Sequence, residues 1–209
     1  MTIENKLGIT DSAELARVEE KLSKQRALEL FESGALELLE AGTTATLQEI
    51  HRVLFGDIYD FAGEIRQVNI AKGGFRFAPV MYLQAALAHV DTMTQQTYEQ
   101  IIEKYVEMNI AHPFREGNGR AMRLWLDCIL RAQLGQVVDW IAVDKEDYLL
   151  AMERSPIRDT EIKVVLKAAL TDRTNDRLLF MKGVDASYYY EGYYTYSTTD
   201  LDQQKEGTP

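Results

Sequence analysis

The sequence predicts an all-α domain, a helical bundle that carries one short β-hairpin. Through most of the chain, apolar residues recur at the three- and four-residue spacing of an amphipathic helix. One stretch instead places apolar, extended segments on both sides of a Gly-Gly pair, which is the pattern of a hairpin. The hydrophobic content of 46% over 209 residues is sufficient for one domain with a packed core.

The helical pattern is repeated along the chain and is interrupted by glycine, proline and polar residues. Gly135 is expected to stop one helix, since glycine adopts the left-handed conformation that ends helices. Gly183 is expected to separate the last long helix from a short segment, 184–194. The polar residues 195–209 are expected to form a flexible tail. In chain order, helices are predicted over about 12–32, 46–55, 80–94, 97–110, 118–134, 145–153, 157–170 and 173–181.

The hairpin is predicted within 64–78. Isoleucine and valine residues precede the Gly73-Gly74 pair, and Phe75 and Phe77 follow it with Arg76 between them. Two glycines in succession suit the tight turn of a hairpin. No other segment offers a convincing strand partner, so the hairpin is expected to stand alone.

The charge balance excludes some classes of function. Lysine and arginine number 23 against 33 aspartate and glutamate residues, a net charge of −10, which disfavours direct nucleic-acid binding. No run approaches the roughly 20 apolar residues of a membrane span, and no signal peptide is evident, so we expect a cytoplasmic protein. The single cysteine, Cys128, excludes an intrachain disulfide and a thiolate zinc cluster.

One short segment gathers groups that suit chemistry on the phosphates of a nucleotide. Gly117 and Gly119 allow the backbone to approach an anion at the start of a helix, where free amides point at it. Asn118 can cap that helix or donate its amide to a phosphate oxygen. Arg120 and Arg123 lie three apart on one helical face and can hold phosphate oxygens. The segment reads His112-Pro113-Phe114-Arg115-Glu116-Gly117-Asn118-Gly119-Arg120, followed by Arg123.

Two further side chains of the segment complete this inventory. Glu116 offers a carboxylate beside the phosphates, the usual way to hold Mg²⁺ with one protein ligand, phosphate oxygens and water. His112 offers an imidazole that can take the proton of an attacking hydroxyl. His51 and His89 stand on predicted helices without such neighbours, and we interpret both as structural.

These residues resemble the signature of the Fic family, HxFx(D/E)GNGRxxR. The segment from His112 to Arg123 matches every fixed position, with Glu116 in the acidic position. The resemblance extends over roughly 40–170. It implies an all-α domain with one hairpin, called the flap, and transfer of AMP from ATP to a hydroxyl of a target protein, with release of pyrophosphate.

The resemblance also implies a role for each motif residue. His112 is the base, and Glu116 holds Mg²⁺, a position that other divalent cations can also take. Asn118 and the turn of Gly117 and Gly119 bind phosphates. The two arginines hold the ATP phosphates beyond the α-position: Arg120 and Arg123.

The hairpin is similar to the flap of the family, which aligns the target segment by backbone pairing. Phenylalanine residues that flank an arginine favour a binding edge over an ordinary surface hairpin. The predicted docking residues are Lys72, Gly73, Gly74, Phe75, Arg76 and Phe77.

A second resemblance lies near the C-terminus, where the chain matches the inhibitory pattern (S/T)xxxE(G/N) of the family. Ser187 and Glu191 fill its fixed positions and lie one helical turn apart, and Gly192 suits a helix stop. Glu191 is expected to pair with Arg123 in place of the γ-phosphate, as in the small class with C-terminal autoinhibition. The implied organisation is an N-terminal helix, a Fic domain, an inhibitory helix and a flexible tail, over 1–40, 41–182, 183–194 and 195–209.

Three readings of function follow from this. The first is an autoinhibited protein adenylyltransferase. In the second, the enzyme also or mainly removes AMP, with Glu191 activating water beside a metal held by Glu116. The third is a non-catalytic module that binds nucleotides or phosphoproteins, and the presence of both His112 and Glu116 speaks against it. A different nucleotide or phosphodiester donor stays open.

The partners are ATP and an intracellular target protein, which by analogy alone could be a topoisomerase subunit. Oligomerisation through the N-terminal helix stays open. Self-modification is a weaker hypothesis, because phenol hydroxyls lie close to the inhibitory pattern on Tyr188, Tyr189, Tyr190 and Tyr193.

Overall fold

The computed structural model describes residues 2–72 and 75–206, and it confirms the predicted helical fold with a short hairpin. In these ranges the helices are α1 (Ser12–Glu32), α2 (Ala35–Leu38), α3 (Thr44–Phe55), α4 (Val80–Thr92), α5 (Tyr98–Ala111), α6 (Asn118–Leu134), α7 (Lys145–Arg154), α8 (Thr160–Lys167), α9 (Arg177–Tyr190) and α10 (Thr198–Glu206). The strands are β1 (Ala71–Lys72), β2 (Phe75–Arg76), β3 (Val137–Val138) and β4 (Leu170–Thr171).

Helix α6 runs through the centre of the core and packs against α3 and α5. Its bounds agree with the prediction because glycines in the left-handed conformation flank it, Gly117 at φ 76° and Gly135 at φ 65°. Its inward face carries Met122, Trp125 and Ile129, which are almost completely buried. Burial of large apolar side chains on one stripe is the main source of helix stability in proteins.

Helix α5 leads directly into the motif. Thr97 and Gln100 form a reciprocal capping box at its start, which satisfies two orphan amides. The helix ends at His112, which has the left-handed backbone angles φ 49° and ψ 67°. Among the described residues, His112 is the one non-glycine residue with a positive φ.

Two expectations for the C-terminal part of the chain were wrong. Gly183 does not interrupt a helix: α9 continues through it to Tyr190, because the glycine lies where the helix packs on the Trp140 ring. The expected flexible tail, 195–209, contains α10. This helix forms because Leu201 and Thr198 are completely buried, so tertiary packing outweighs the polar composition. Residues 207–209 lie outside the described part.

The hairpin consists of β1 paired antiparallel with β2, with Ala71 opposite Arg76 and Lys72 opposite Phe75. Gly73 and Gly74 lie outside the described residues. A second antiparallel pair, β3 with β4, was not predicted, because each strand has two residues and no alternating pattern forms over that length.

The N-terminal helix α1 packs against α3, α9 and α10. Its contact face includes buried polar side chains, which occur in proteins only when they are paired. No described helix combines the length and apolar character that crossing a membrane requires.

Candidate active site

A cleft of about 800 Å³ is lined by residues of both sequence patterns, the motif at 112–123 and the C-terminal pattern at 187–192. Its walls also include Phe77 from the hairpin region and Tyr148 from α7. Residues from the C-terminal pattern, Glu191 and Gly192, lie on the same cleft. The motif contributes His112, Arg115, Glu116, Gly117, Asn118, Gly119, Arg120 and Arg123.

His112 is half-buried at the wall of the cleft. Its ring stacks on Phe77, with the centroids 3.6 Å apart and the planes 13° from parallel. Nδ1 lies 3.3 Å from the carbonyl oxygen of Asn109, which can only accept, so Nδ1 carries the proton of the neutral ring. Nε2 is then the nitrogen with basic character.

Asn118 has a different role from the one expected for its side chain. The side-chain Oδ1 accepts from the Phe114 amide at 2.8 Å, and Nδ2 donates to the Phe114 carbonyl at 2.8 Å. The side-chain amide of Asn118 therefore closes the loop through Phe114. The first main-chain amides of α6 lack carbonyl partners within the helix, and such amides are the groups that bind anions at a helix start.

Close neighbours require glycine at both Gly117 and Gly119, and the left-handed backbone (φ 76°) requires it at Gly117 as well. A methyl group built on Gly117 would overlap the ring of Phe55, and one on Gly119 would overlap Oε1 of Glu191. The start of α6 thus has room for a closely approaching carboxylate.

Glu116 presents an exposed carboxylate at the same helix start. Its Oε1 accepts from the Gly117 amide at 2.9 Å and from Nη2 of Arg120 at 3.1 Å. No cluster of three metal-ligating side chains exists among the described residues. One carboxylate beside an anion site fits Mg²⁺, which takes few protein ligands and keeps phosphate oxygens and water.

His51 holds the motif loop, a role that its isolated position in the sequence did not indicate. Its Nδ1 accepts from the Gly63 amide at 2.9 Å, so Nε2 carries the proton and donates to the Glu116 carbonyl at 2.8 Å. Burial lowers the pKa of His51 to about 4, which keeps the ring neutral and this donor pattern intact. His89, also expected to be structural, lies on the exposed side of α4.

Arg120, expected to hold phosphates, is engaged in this structure by a carboxylate of another helix. It is 1% exposed and pairs through Nη1 with the carboxylate of Glu19 on α1. Burial opposes its charge, and the Glu19 carboxylate offsets this, so the pKa of Arg120 is well above its usual value. The rings of Phe55, Tyr188 and Tyr193 surround the guanidinium.

Arg123 lies in the predicted contact with the C-terminal pattern. Nη2 donates to Oε1 of Glu191 at 3.0 Å and to the Ser187 carbonyl at 2.8 Å, and Nε donates to the Ser187 hydroxyl at 2.6 Å. Gly192 follows with φ 92°, as expected of a helix stop. The structure thus places Ser187, Glu191 and Arg123 in one hydrogen-bonded group.

The tyrosines of the C-terminal segment differ in exposure. Tyr188 and Tyr190 are buried, and the Tyr190 hydroxyl donates to the carbonyls of Trp140 and Val143. Tyr189 is 52% exposed, so in this arrangement it is the most accessible of the three to a nucleotide. Phe77 is the docking residue whose side chain is described. Gly73 and Gly74 lie outside the described residues, as do the side chains of Lys72, Phe75 and Arg76.

Comparison with known proteins agrees with the motif. The model of the Fic/DOC family matches residues 42–130. A probable protein adenylyltransferase of Sinorhizobium fredii, y4lH, is 30% identical over 165 residues, which are 73% of this chain and 82% of that protein. Protein adenylyltransferase VbhT of Bartonella schoenbuchensis is 30% identical over 185 residues, which are 83% of this chain and only 38% of that protein.

Solved structures share the fold. The BepC protein of Bartonella tribocorum with bound AMPPNP has a TM-score of 0.68 at 21% identity and covers 82% of this chain and 93% of its own. An ADP-bound N-terminal Fic domain from Bartonella quintana has a TM-score of 0.67 at 21% identity, covering 81% and 91%.

Proposed function

Because the chain belongs to the Fic/DOC family, and so to a group of nucleotidyltransferase enzymes, we propose that it is an autoinhibited protein adenylyltransferase. It moves AMP from ATP to a hydroxyl side chain of a target protein. The contact of Glu191 with Arg123 beside Gly119 carries the proposal, because it puts a carboxylate at the helix start where an anionic substrate would bind.

The proposed reaction uses the start of α6 to bind the phosphates. The first amides of the helix, near Gly117 and Gly119, and the helix dipole favour negative charge there. AMPPNP and ADP in the related structures support a nucleotide ligand. Glu116 would hold Mg²⁺, which supplies positive charge against the phosphate oxygens.

His112 acts as the base. The target hydroxyl loses its proton to Nε2 and attacks the α-phosphorus of ATP. A new bond forms between the hydroxyl oxygen and phosphorus, the bond from phosphorus to the bridging oxygen breaks, and pyrophosphate leaves. Stacking on Phe77 holds the orientation of the ring, and the Nδ1 contact with the Asn109 carbonyl keeps the proton on Nδ1 for this step.

Glu191 restrains the reaction. Its carboxylate occupies one arm of Arg123, the cation that would otherwise hold a phosphate beyond the α-position. ATP that binds beside it would have its α-phosphate badly placed for in-line attack. Charge-assisted hydrogen bonds of this kind are worth roughly 1.5–3 kcal/mol, enough to slow transfer about 10- to 100-fold.

Labelling of a cell lysate with radioactive ATP and Mg²⁺ tests the proposal. The Glu191→Gly protein should label one or more target bands strongly, and the parent protein only weakly. Glu153→Gly is the matched control, since Glu153 also lines the cleft and has no described bond to Arg123. Equal labelling by the parent and Glu191→Gly would contradict autoinhibition, and no labelling by either would contradict the activity.

A second candidate is removal of AMP from a modified protein. The carboxylates of Glu191 and Glu116 line the same cleft, which would let one activate water while the other holds the metal. Incubation of parent protein with AMP-labelled target, followed by measurement of free AMP, distinguishes removal from transfer. Release that persists in Glu191→Gly would exclude this role of Glu191.

The target stays a prediction: an intracellular protein, by analogy a topoisomerase subunit, or one of the protein's own tyrosines. Identification of the labelled bands tests the first. Intact mass of Glu191→Gly after incubation with ATP tests the second, with Tyr189→Phe as the informative variant because Tyr189 is exposed.

A further inference from the structure

Arg66 lies in the loop before the hairpin and is 2% exposed. Every described partner of its guanidinium is a main-chain carbonyl oxygen. Nε donates to His112 at 2.8 Å, and Nη2 donates to Ala111 at 3.0 Å and to Ala78 at 2.5 Å. Nη1 donates to Val68 at 2.8 Å. One side chain thus bridges the end of α5 and both sides of the hairpin.

The same region satisfies the carbonyls that α5 leaves without partners at its C-terminus. The Arg66 amide donates to the Pro113 carbonyl at 2.8 Å, and the Ala78 amide donates to the Ile110 carbonyl at 2.9 Å. A cation at a helix C-terminus also interacts favourably with the helix dipole. The backbone from Ile110 to Pro113 is therefore fixed by residues 66 and 78.

His112 lies in the middle of this fixed stretch and has a backbone conformation that non-glycine residues rarely adopt. Such a conformation persists only where surrounding contacts hold it. Backbone angles set the direction in which the side chain leaves the main chain, so the carbonyl contact of Arg66 with His112 also sets the aim of the imidazole.

Burial of Arg66 is costly, and its geometry indicates what the side chain contributes. Burial lowers the pKa of Arg66, which means that the surroundings disfavour the charge. A fork of five N–H donors can bond several carbonyls at once, and neither an apolar side chain nor a lysine reproduces that pattern. The fork fits the positioning of several backbone segments, not only the filling of a space.

We infer that Arg66 is a positioning residue for His112: it holds the backbone of the base and links it to the segments on both sides of the hairpin. The inference rests on the proposed function, in which His112 takes the proton of the target hydroxyl. Arg66 has no described contact with the start of α6, where the nucleotide would bind, so its loss should affect the chemical step and leave nucleotide binding in place.

Kinetics in the Glu191→Gly background provide the first test. Arg66→Met should lower kcat about 100-fold, the cost of a small misplacement of a reacting group, with KM for ATP and AMPPNP affinity nearly unchanged. Arg66→Lys should recover part of kcat. Arg131→Met is the matched control, because Arg131 also donates to a carbonyl, that of Thr174, at 2.6 Å and does not line the cleft.

The inference is overturned if Arg66→Met lowers kcat no more than Arg131→Met, or lowers AMPPNP affinity as much as kcat. If Arg66→Met does not fold, Arg66→Lys decides. A kcat of Arg66→Lys equal to that of its Glu191→Gly parent then overturns the inference, and a reduced kcat with unchanged AMPPNP affinity supports it.

Ring signals of the three histidines in NMR spectra provide a test that needs no AMP transfer. The His112 signals are assigned by their loss in His112→Ala. In Arg66→Met or Arg66→Lys, these signals should shift, while those of His89 should keep their positions. Unmoved His112 signals overturn the inference. If Glu191→Gly transfers no AMP but the His112 signals move, the positioning role stands and the proposed reaction fails.

Discussion

Glu19 and Arg120 form a buried ion pair although 101 positions separate them in the sequence. The pair links the N-terminal helix α1 to the first turns of α6, and the second arm of the same guanidinium reaches Glu116 at 3.1 Å. The hydroxyl of Tyr59 also donates to the Glu19 carboxylate. Helix α1, which lies outside the region matched by the family model, therefore supports the carboxylate proposed to hold the metal.

Loss of Glu19 should destabilise the protein strongly. Glu19→Ala leaves the charge of Arg120 buried without its main partner, which typically costs about 3–5 kcal/mol. Urea unfolding of the parent protein and of Glu19→Ala measures the difference in unfolding free energy. Glu49→Ala is the control: Glu49 pairs with Arg52 on the surface, where a pair is worth less than about 1 kcal/mol. Equal effects of the two substitutions would contradict the importance of the buried pair.

Loss of Lys24 should loosen the segment that follows Glu191. Lys24 is buried on α1, pairs with Glu20 at 3.0 Å and with Asp185 at 2.9 Å, and donates to the Tyr196 carbonyl. Lys24→Met leaves two carboxylates without this cation, so we expect a loss of about 3–5 kcal/mol in unfolding free energy. Hydrogen exchange over residues 193–206 should increase.

The same variant should raise AMP transfer by less than Glu191→Gly does, because Glu191 is kept but held less firmly. Lys182→Met is the control, since Lys182 lies on the exposed side of α9. Unchanged exchange over 193–206 in Lys24→Met would show that the ion pairs do not hold this segment.

Ser187 should contribute a smaller part of the restraint. Ser187→Ala removes the acceptor of the Arg123 Nε donor but leaves the Glu191 contact, and an unsatisfied buried donor costs about 1–3 kcal/mol. We expect AMP transfer to rise several-fold, less than in Glu191→Gly. Ser155→Ala is the control, because Ser155 is a buried serine that donates to the Met152 carbonyl and does not itself line the cleft, so transfer should stay unchanged. The rate of AMP transfer from labelled ATP to a target protein is measured for both variants. Equal rates for Ser187→Ala and Ser155→Ala would contradict the role of Ser187.

His51 should make stability depend on pH. Its folded-state pKa of about 4 lies below the ordinary 6.5, so the unfolded chain binds more protons between these values. Stability therefore rises by about 3 kcal/mol as pH increases from 4 to 6.5, and the gain is lost as pH falls.

Unfolding free energies of parent and His51→Gln across pH 4–7 test this dependence. The difference between the two proteins isolates His51, because Asp127, whose pKa burial raises to about 7, titrates in both. His89→Gln, at an exposed position, should leave the pH profile unchanged. If unfolding free energy changed with pH equally in the parent protein and in His51→Gln, the lowered pKa of His51 would be contradicted.

Local signals predicted much of the fold. Helix α6 agrees with its predicted bounds because glycines mark both ends, and the apolar periodicity of 97–110 predicted α5 nearly as well. Gly183 lies inside α9 although glycine is typical of helix ends, since its position depends on the Trp140 ring. The polar composition of 195–209 did not predict α10, because among the side chains that the structure describes this helix buries only two completely, Leu201 and Thr198.

The candidate site was predicted where it is contiguous in sequence. His112, Glu116 and the Arg123–Glu191 contact follow from two short patterns, whereas the partner of Arg120 lies on α1 and nothing in the local sequence indicates it. His51 and Arg66 were missed as supports of the motif because they bond main-chain oxygens. Every residue carries such an oxygen, so the sequence offers no signal of this pairing.

The contact between Glu191 and Arg123 is tested most directly by combining substitutions at both positions. AMP incorporation into a target is measured for the parent protein, Glu191→Gly, Arg123→Met and the double variant. The account predicts that Glu191→Gly raises incorporation about 10- to 100-fold when Arg123 is present and has little effect in Arg123→Met. Equal activation by Glu191→Gly with and without Arg123 would contradict the account.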